Sequence, residues 1–157
     1  MKEKIFLHSE KETFEFAEKI ASLLKRESVL TLVGNLGAGK TVFAKGIAKG
    51  LNVKQEVTSP TFNILKCYFD GILPFYHIDA YRLEDSFSTR NIGLEEVIEG
   101  DGICLIEWPN FISDLINNPL EINIEIVSPS ERVFTFFSNN KKYEDVFLFL
   151  RGYKNEL

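Results

Sequence analysis

Between residues 30 and 51 the chain reads LTLVGNLGAGKTVFAKGIAKGL. An apolar run breaks into a glycine-rich turn and resumes as an apolar stripe. Gly34 to Thr41 have the spacing G-x-x-x-x-G-K-T, in which each residue type has a physical task. Gly34, Gly37 and Gly39 lack a Cβ, so the backbone can turn tightly and approach a ligand closely. Consecutive amide N–H groups of such a turn form a concave anion site. A helix starting at Lys40 adds its positive dipole end. Lys40 supplies a flexible charge for β- and γ-phosphates, and the Thr41 hydroxyl can ligate Mg²⁺. A plain glycine turn between strand and helix would explain neither Lys40 nor Thr41, so the turn is read as holding a nucleoside triphosphate.

The flanks agree with this reading. SVLTLV is a short buried strand, and Phe43, Ile47 and Leu51, with Ala44 and Ala48, form an apolar helix face. Gly50 is the expected helix stop. Upstream, IFL (5–7) reads as an edge strand, and Ser9 with Glu12 as a capping box. Phe14, Ala17, Ile20, Ala21 and Leu24 mark the core face of the helix that follows.

Downstream, QEVTSPTFNILKCYF (55–69) begins as a loop at Pro60 and ends as a strand. Asp70-Gly71 is a hairpin signal, and LPFYHID (73–79) returns. A polar segment with Arg82, Glu84, Asp85 and Arg90 is expected to carry one short helix, and LEEVIEGDG (94–102) another with a turn. ICLIEW (103–108) is a core strand, then a helix or loop runs to Pro119. LEINIEIV and RVFTFF alternate as a hairpin around SPSE, and YEDVFLFL closes the chain as a helix or strand, helix preferred. The sum is one α/β domain, residues 1–157, around a mixed sheet.

With 157 residues, 45% hydrophobic content and a net charge of −5, the chain can bury a good core but offers no basic face for gripping nucleic acid alone. Cys67 and Cys104, without a CxxC pattern, suit free thiols. No apolar run approaches membrane-spanning length, and the N-terminus lacks a signal-peptide core, so a cytoplasmic protein is expected.

A triphosphate site needs a metal-side carboxylate at the end of a core strand. Asp79 and Glu107 both qualify; either can hold Mg²⁺ while the other orients a water, although a solvated strand-end carboxylate would look the same. Thr58, Ser59 and Thr61 of VTSPTF can bring hydroxyls near a γ-phosphate or simply build a proline turn. His77 shares a strand face with Asp79 and reads first as a structural histidine. Strand alternation points Trp108 away from Glu107, toward the core, the site rim or a partner. No N-K-x-D string specifies guanine (the nearest is NKKY, 140–143), so ATP is favoured. A small-molecule kinase is the alternative enzyme class.

Taken together, GNLGAGKTVFAKGI, VTSPTF, HIDAYRL and ICLIEWP, in this order and spacing, resemble the bacterial TsaE (formerly YjeE) family. The resemblance covers nearly the whole chain. It implies a P-loop NTPase-like three-layer sandwich with a mixed, mainly parallel sheet of about seven strands. It also implies a weakly ATP-hydrolysing, Mg²⁺-dependent component of the tRNA threonylcarbamoyladenosine modification complex. TsaD and TsaB are the implied partners, with tRNA met only through the complex and no membrane. Lys40, Asp79 and Glu107 match the catalytic positions, and Thr41, Asp79 and Glu107 the metal side. Leu36, Gly37, Ala38, Gly39, Lys40 and Thr41 match the nucleotide loop, joined by Glu10, Thr58 and Arg132 of the SPSER turn. Asn35 and Val42 depart from the usual G-D-L-G-A-G-K-T-T, losing a charge and a hydroxyl. An ATPase that powers or resets the complex and a non-catalytic ATP-dependent docking module both remain open.

Overall fold

In the computed structural model, residues 1–35, 37–60, 64–81 and 93–153 are described. The expected polar helix around Arg82–Arg90 lies outside them, as do Leu36 and Thr61. The most continuously apolar stretches become central strands. β2 (Val29–Val33) and β5 (Ile103–Glu107) pair in parallel, as near-continuous apolar runs covered on both faces do. β1 (Lys2–Leu7), β3 (Leu65–Tyr68), β4 (Phe75–Asp79), β6 (Leu120–Ile126) and β7 (Arg132–Phe137) complete a seven-stranded sheet of order β1-β7-β6-β2-β5-β4-β3. The sheet is mixed. Five strands run in the same sense, but only three of the six pairings are parallel, because both margins are closed by antiparallel partners.

Helices α1 (Glu10–Ser22), α2 (Lys40–Gly50) and α4 (Glu144–Gly152) cover one face, burying Leu30, Leu32, Ile122, Phe134 and Phe136. The last apolar segment is therefore helical. On the other face, α3 (Leu94–Ile98) and a 3-10 segment (Pro109–Leu115) bury Ile78, Cys104 and Ile106. That layer stops short of β6, whose Glu121, Asn123 and Glu125 are exposed. Cys67 and Cys104 are free thiols, and burial pushes the Cys104 thiol up to about 12.

Ser9 caps α1, its hydroxyl accepting from the Glu12 amide at 3.1 Å. The buried face of α1 is Thr13, Phe16, Ala17, Ile20 and Ala21, so Phe16 takes the core place that periodicity alone gives to Phe14. Asp70-Gly71 does not make a two-residue hairpin. Residues 69–74 form a longer connection held against the end of α2, with the Ile72 amide on the Leu51 carbonyl at 2.8 Å.

Gly50 does not end α2 by adopting a left-handed conformation; Asn52 does, with φ 62°. Gly50 and Gly46 are instead contact points with α1. A Cβ at Gly46 would lie 2.5 Å from both the Phe14 carbonyl oxygen and Ala17 Cβ, and one at Gly50 2.5 Å from the Glu18 carbonyl oxygen and Ala21 Cβ. Backbone cannot yield as a side chain can. Gly46→Ala is therefore expected to destabilise the fold by about 1–3 kcal/mol, outweighing the helix-propensity gain of ~1 kcal/mol that alanine brings elsewhere. Urea denaturation with Lys45→Ala as the exposed control measures this; a more stable Gly46→Ala protein would contradict the close crossing.

Candidate functional site

β2 runs straight into the glycine turn, and the turn into α2. Gly37 (φ 80°) and Gly39 (φ 103°) both adopt left-handed conformations that a side chain would strain. Gly39 occupies the cap position of α2 and has no side chain to cap it, so the first-turn amides stay available to a ligand. Gly34 is fixed by crowding, since a Cβ there would meet Ala38 Cβ and the Ile124 carbonyl oxygen at 3.1 Å.

Lys40, the first residue of α2, is buried. Its ammonium donates to the Gly34 carbonyl at 2.8 Å and lies 3.9 Å from Glu107 Oε1. Burial lowers its pKa, while the nearby Glu107 and Asp79 carboxylates oppose that shift. Glu107 ends β5 and Asp79 ends β4, and the two stand opposite each other in the parallel register. The Asp79 carboxyl is pushed up by burial above all, with Glu107 adding to the shift. The Tyr81 amide at 3.0 Å, Lys40 and His77 pull the other way.

His77 on β4 is fully buried, and its Nε2 meets Glu107 Oε2 at 2.5 Å. Its Nδ1 has no partner among the described residues. An unpaired acceptor lone pair is less unfavourable than an unpaired N–H, so Nε2 carries the proton and donates to the carboxylate. The histidine is structural in the sense the sequence suggests, and what it structures is Glu107.

Trp108 is where strand alternation misleads. β5 ends at Glu107, and Trp108 adopts a left-handed conformation (φ 54°, ψ 59°) before Pro109. The alternation therefore stops one residue early. The indole swings over the Lys40 ammonium, 4.1 Å from ring centroid to Nζ, and meets the Tyr81 ring edge-on at 5.2 Å. The proline that follows does not foretell this, because the residue before a proline is biased toward extended backbone, which would have continued the strand.

Lys40, Asp79, Tyr81, Glu107 and Trp108, with His77 buried behind Glu107, line a cavity of about 740 Å³ at the C-terminal end of the parallel strands. That is where open α/β sheets place ligands, and the volume suits a small-molecule ligand. Glu10, Gly37, Gly39, Lys40, Thr41, Asp79 and Glu107 all face it, as do Asn35, Val42 and Ser59. Ala38 is turned into the core. Thr58 does not line the cavity; its hydroxyl accepts from the Lys66 ammonium. Arg132 does not line it either, and its guanidinium lies behind the glycine turn on the carbonyls of Gly37 and Ala38. Among the described residues no cluster of three or more His, Cys, Asp or Glu is set to hold a metal. Thr41, Asp79 and Glu107 supply a hydroxyl and two carboxylates, a set that suits a cation keeping ligands from elsewhere. A larger groove of about 840 Å³ runs along the outer sheet face past Thr31, Asn123, Thr135 and Phe137, but among the described residues no Lys, Arg or His lines it.

The family model described as "Threonylcarbamoyl adenosine biosynthesis protein TsaE" matches residues 7–134. The chain belongs to the TsaE family. It is 46% identical over 134 residues to the tRNA threonylcarbamoyladenosine biosynthesis protein TsaE of Bacillus subtilis (strain 168), covering 85% of this chain and 84% of that one. With the protein of the same name from Treponema pallidum (strain Nichols) identity is 38% over 128 residues, covering 81% and 94%. A crystal structure of Bacillus subtilis YdiB superposes with a TM-score of 0.83 at 36% identity, over 99% of this chain and 97% of that one. The glycine turn, His77 and Glu107 all fall inside the stretch matched to the TsaE family. Among the described residues no helix is long and apolar enough to cross a membrane.

The His77–Glu107 contact yields a direct expectation. His77→Leu leaves a buried carboxylate without its donor and should cost about 2–3 kcal/mol of stability. His77→Gln, whose amide can donate from a similar position, should recover more than half of that. Urea denaturation of the three proteins decides; equal loss in both variants would mean that ring packing, not the hydrogen bond, holds His77.

Proposed function

We propose that this chain is a Mg²⁺-dependent P-loop ATPase of tRNA threonylcarbamoyladenosine biosynthesis, with the three-layer α/β architecture of that class. Its own turnover is weak and is stimulated by partner subunits, TsaD and TsaB, through which alone it meets tRNA. The observation that carries this reading is Lys40. A buried ammonium, hydrogen-bonded only to Gly34 among the described residues, stands at the head of an uncapped helix in a cavity with two strand-end carboxylates. Such a cation is suited to an anion with several oxygens.

The residues present fit Mg²⁺ and ATP. Thr41, with Asp79 or Glu107, would hold the cation, which Mg²⁺ sites typically bind with one or two carboxylates and substrate phosphates. Gly37, Gly39 and the first turn of α2 would hold phosphate oxygens, and Glu10 stands where the base would approach. When bound, the cation neutralises charge that develops on phosphate oxygens during transfer to water. Lys40 supplies a second positive charge. Glu107, oriented by His77, holds either the cation or the attacking water. Trp108 shields Lys40 from solvent and keeps the ammonium beneath the ring.

Two measurements test the proposal. Lys40→Ala should lose ATP binding by a hundredfold or more, on the order of 3 kcal/mol, while staying folded but melting below the wild type, since the buried Glu107 carboxylate loses its cation. Thr41→Ala should shift the Mg²⁺ dependence of binding and leave Mg²⁺-free binding unchanged. Isothermal titration with and without Mg²⁺ reads both, and wild-type affinity in Lys40→Ala would refute the assignment. In the second, Glu107→Ala should still bind ATP and the TsaD–TsaB subunits but lose hydrolysis by about 10²–10³-fold. If Glu107→Ala leaves turnover with partners unchanged, Glu107 takes no part in hydrolysis; if the wild-type chain binds ATP but shows no turnover even with partners, it acts as an ATP-dependent docking module and not as an ATPase.

A further inference from the structure

Among the described residues, the side chain of Arg132, the first residue of β7, makes five hydrogen bonds, each to a main-chain carbonyl. Along one edge of the guanidinium, Nε donates to the Ala38 carbonyl at 3.0 Å and Nη2 to the Gly37 carbonyl at 3.0 Å. Nη1 donates to Ser128 at 2.8 Å, Glu131 at 2.9 Å and Pro129 at 3.4 Å, all in the β6–β7 turn. One rigid planar group thus joins the glycine turn to the hairpin turn beside it. The hairpin side is firm. The Val127 amide bonds the Glu131 carbonyl at 3.0 Å, the Glu131 amide bonds Ser128 Oγ at 3.2 Å, and Ser128 Oγ donates to Glu131 Oε1 at 3.0 Å.

We propose that Arg132 is a positioning residue for anion binding: its guanidinium fork draws the Gly37 and Ala38 carbonyls to the back of the turn and so pre-forms the amide cradle at the front. This rests on the reading of residues 34–41 as a phosphate site. In a turn whose glycines are left-handed, each peptide plane that presents N–H to one side presents C=O to the other. Holding the Ala38 carbonyl fixes the peptide plane that carries the Gly39 N–H, while the Gly37 carbonyl shares its plane with the Ala38 N–H, which donates to the Asn35 carbonyl at 3.0 Å and so ties the turn itself. Among the described residues beyond their chain neighbours, nothing lies within 4 Å of where a Cβ at Gly37 or Gly39 would be, so crowding of that kind does not hold those two residues in place. A pre-formed cradle does not lose ordering entropy on binding, which raises affinity without touching the ligand. A lysine could keep the charge but not the fork, since its ammonium is a point donor on a flexible stem.

The test compares Arg132→Ala and Arg132→Lys with the wild-type chain, using ATP and inorganic tripolyphosphate as probes. Positioning predicts that Arg132→Ala weakens both by the same factor, roughly ten- to a hundredfold, with Arg132→Lys in between. It predicts faster amide hydrogen exchange in ligand-free peptides covering residues 34–42, and near-wild-type turnover at saturating ATP. Arg132→Lys matching the wild type in affinity and exchange would overturn the fork in favour of simple charge. Loss of ATP affinity with tripolyphosphate affinity unchanged would overturn it in favour of a contact to the base. If Arg132→Ala fails to fold, Arg132→Lys carries the same comparison. A wild-type chain that binds neither probe would refute the nucleotide reading, and unchanged exchange in the variants would still overturn the brace.

Discussion

An ammonium and a carboxylate, both buried and 3.9 Å apart at the end of a parallel sheet, are the contact around which this molecule is organised. Burial lowers the pKa of Lys40, which the Glu107 and Asp79 carboxylates oppose, and raises that of Asp79 beside it, which Lys40 opposes and Glu107 reinforces. Lys40 can reach this place only from the first turn of a helix that follows β2, and Glu107 only from the last residue of the neighbouring strand. The β2–β5–β4 order follows from that need. It sets Lys40, Glu107 and then His77 and Asp79 side by side, with His77 donating to Glu107 from β4.

The remaining architecture serves to keep those three strand ends rigid. β2 and β5 are covered on both faces by apolar layers, and α2 is pressed onto α1 so closely that Gly46 and Gly50 have no room for a Cβ. That crossing fixes the direction in which Lys40 enters the cavity. The antiparallel pair β6–β7 extends the sheet beyond the site, yet its turn returns to the glycine loop through Arg132. The sheet margin is therefore mechanically part of the site even though none of its side chains faces the cavity opening.

How far the sequence could reveal this varies with the kind of physics involved. Elements set by local chemistry were legible. Ser9 caps α1 as its spacing with Glu12 suggests, alternation marks the β6–β7 hairpin, and the glycine spacing places a turn between β2 and α2. The seven-stranded mixed sheet and the family were legible from four separated blocks read together. Features set by contacts between distant segments were not. Gly50 looks like a helix stop because glycine often is one, but the reason for it lies on α1, nearly thirty residues away in sequence. Asp70-Gly71 has the composition of a tight hairpin and instead belongs to a connection tied to Leu51 and Lys54. Trp108 leaves the strand rule by turning left-handed where extended backbone would be expected before Pro109. Arg132 looks like a phosphate ligand because arginine commonly is, and only the fold shows its donors already occupied by carbonyls.

The distribution of these exceptions is itself an argument about function. A sequence that specifies one structure satisfies local rules nearly everywhere and departs from them where something other than stability is required. Here the departures converge. A buried lysine, a tryptophan in the left-handed region, a helix start without a side-chain cap and a buried histidine nitrogen without a partner among the described residues all sit at one end of three strands. Among the described residues the other non-glycine positions with positive φ are Glu27, Asn52 and Asn118, all in connections, and two of them are asparagines, which tolerate that region. Left-handed geometry costs a non-glycine residue of order 1–2 kcal/mol, and for Trp108 no turn chemistry demands it. What the conformation achieves is to lay an aromatic face on the Lys40 ammonium, giving a buried cation a further partner. A core built for stability alone would have placed an apolar residue at position 40 and let the strand continue through 108.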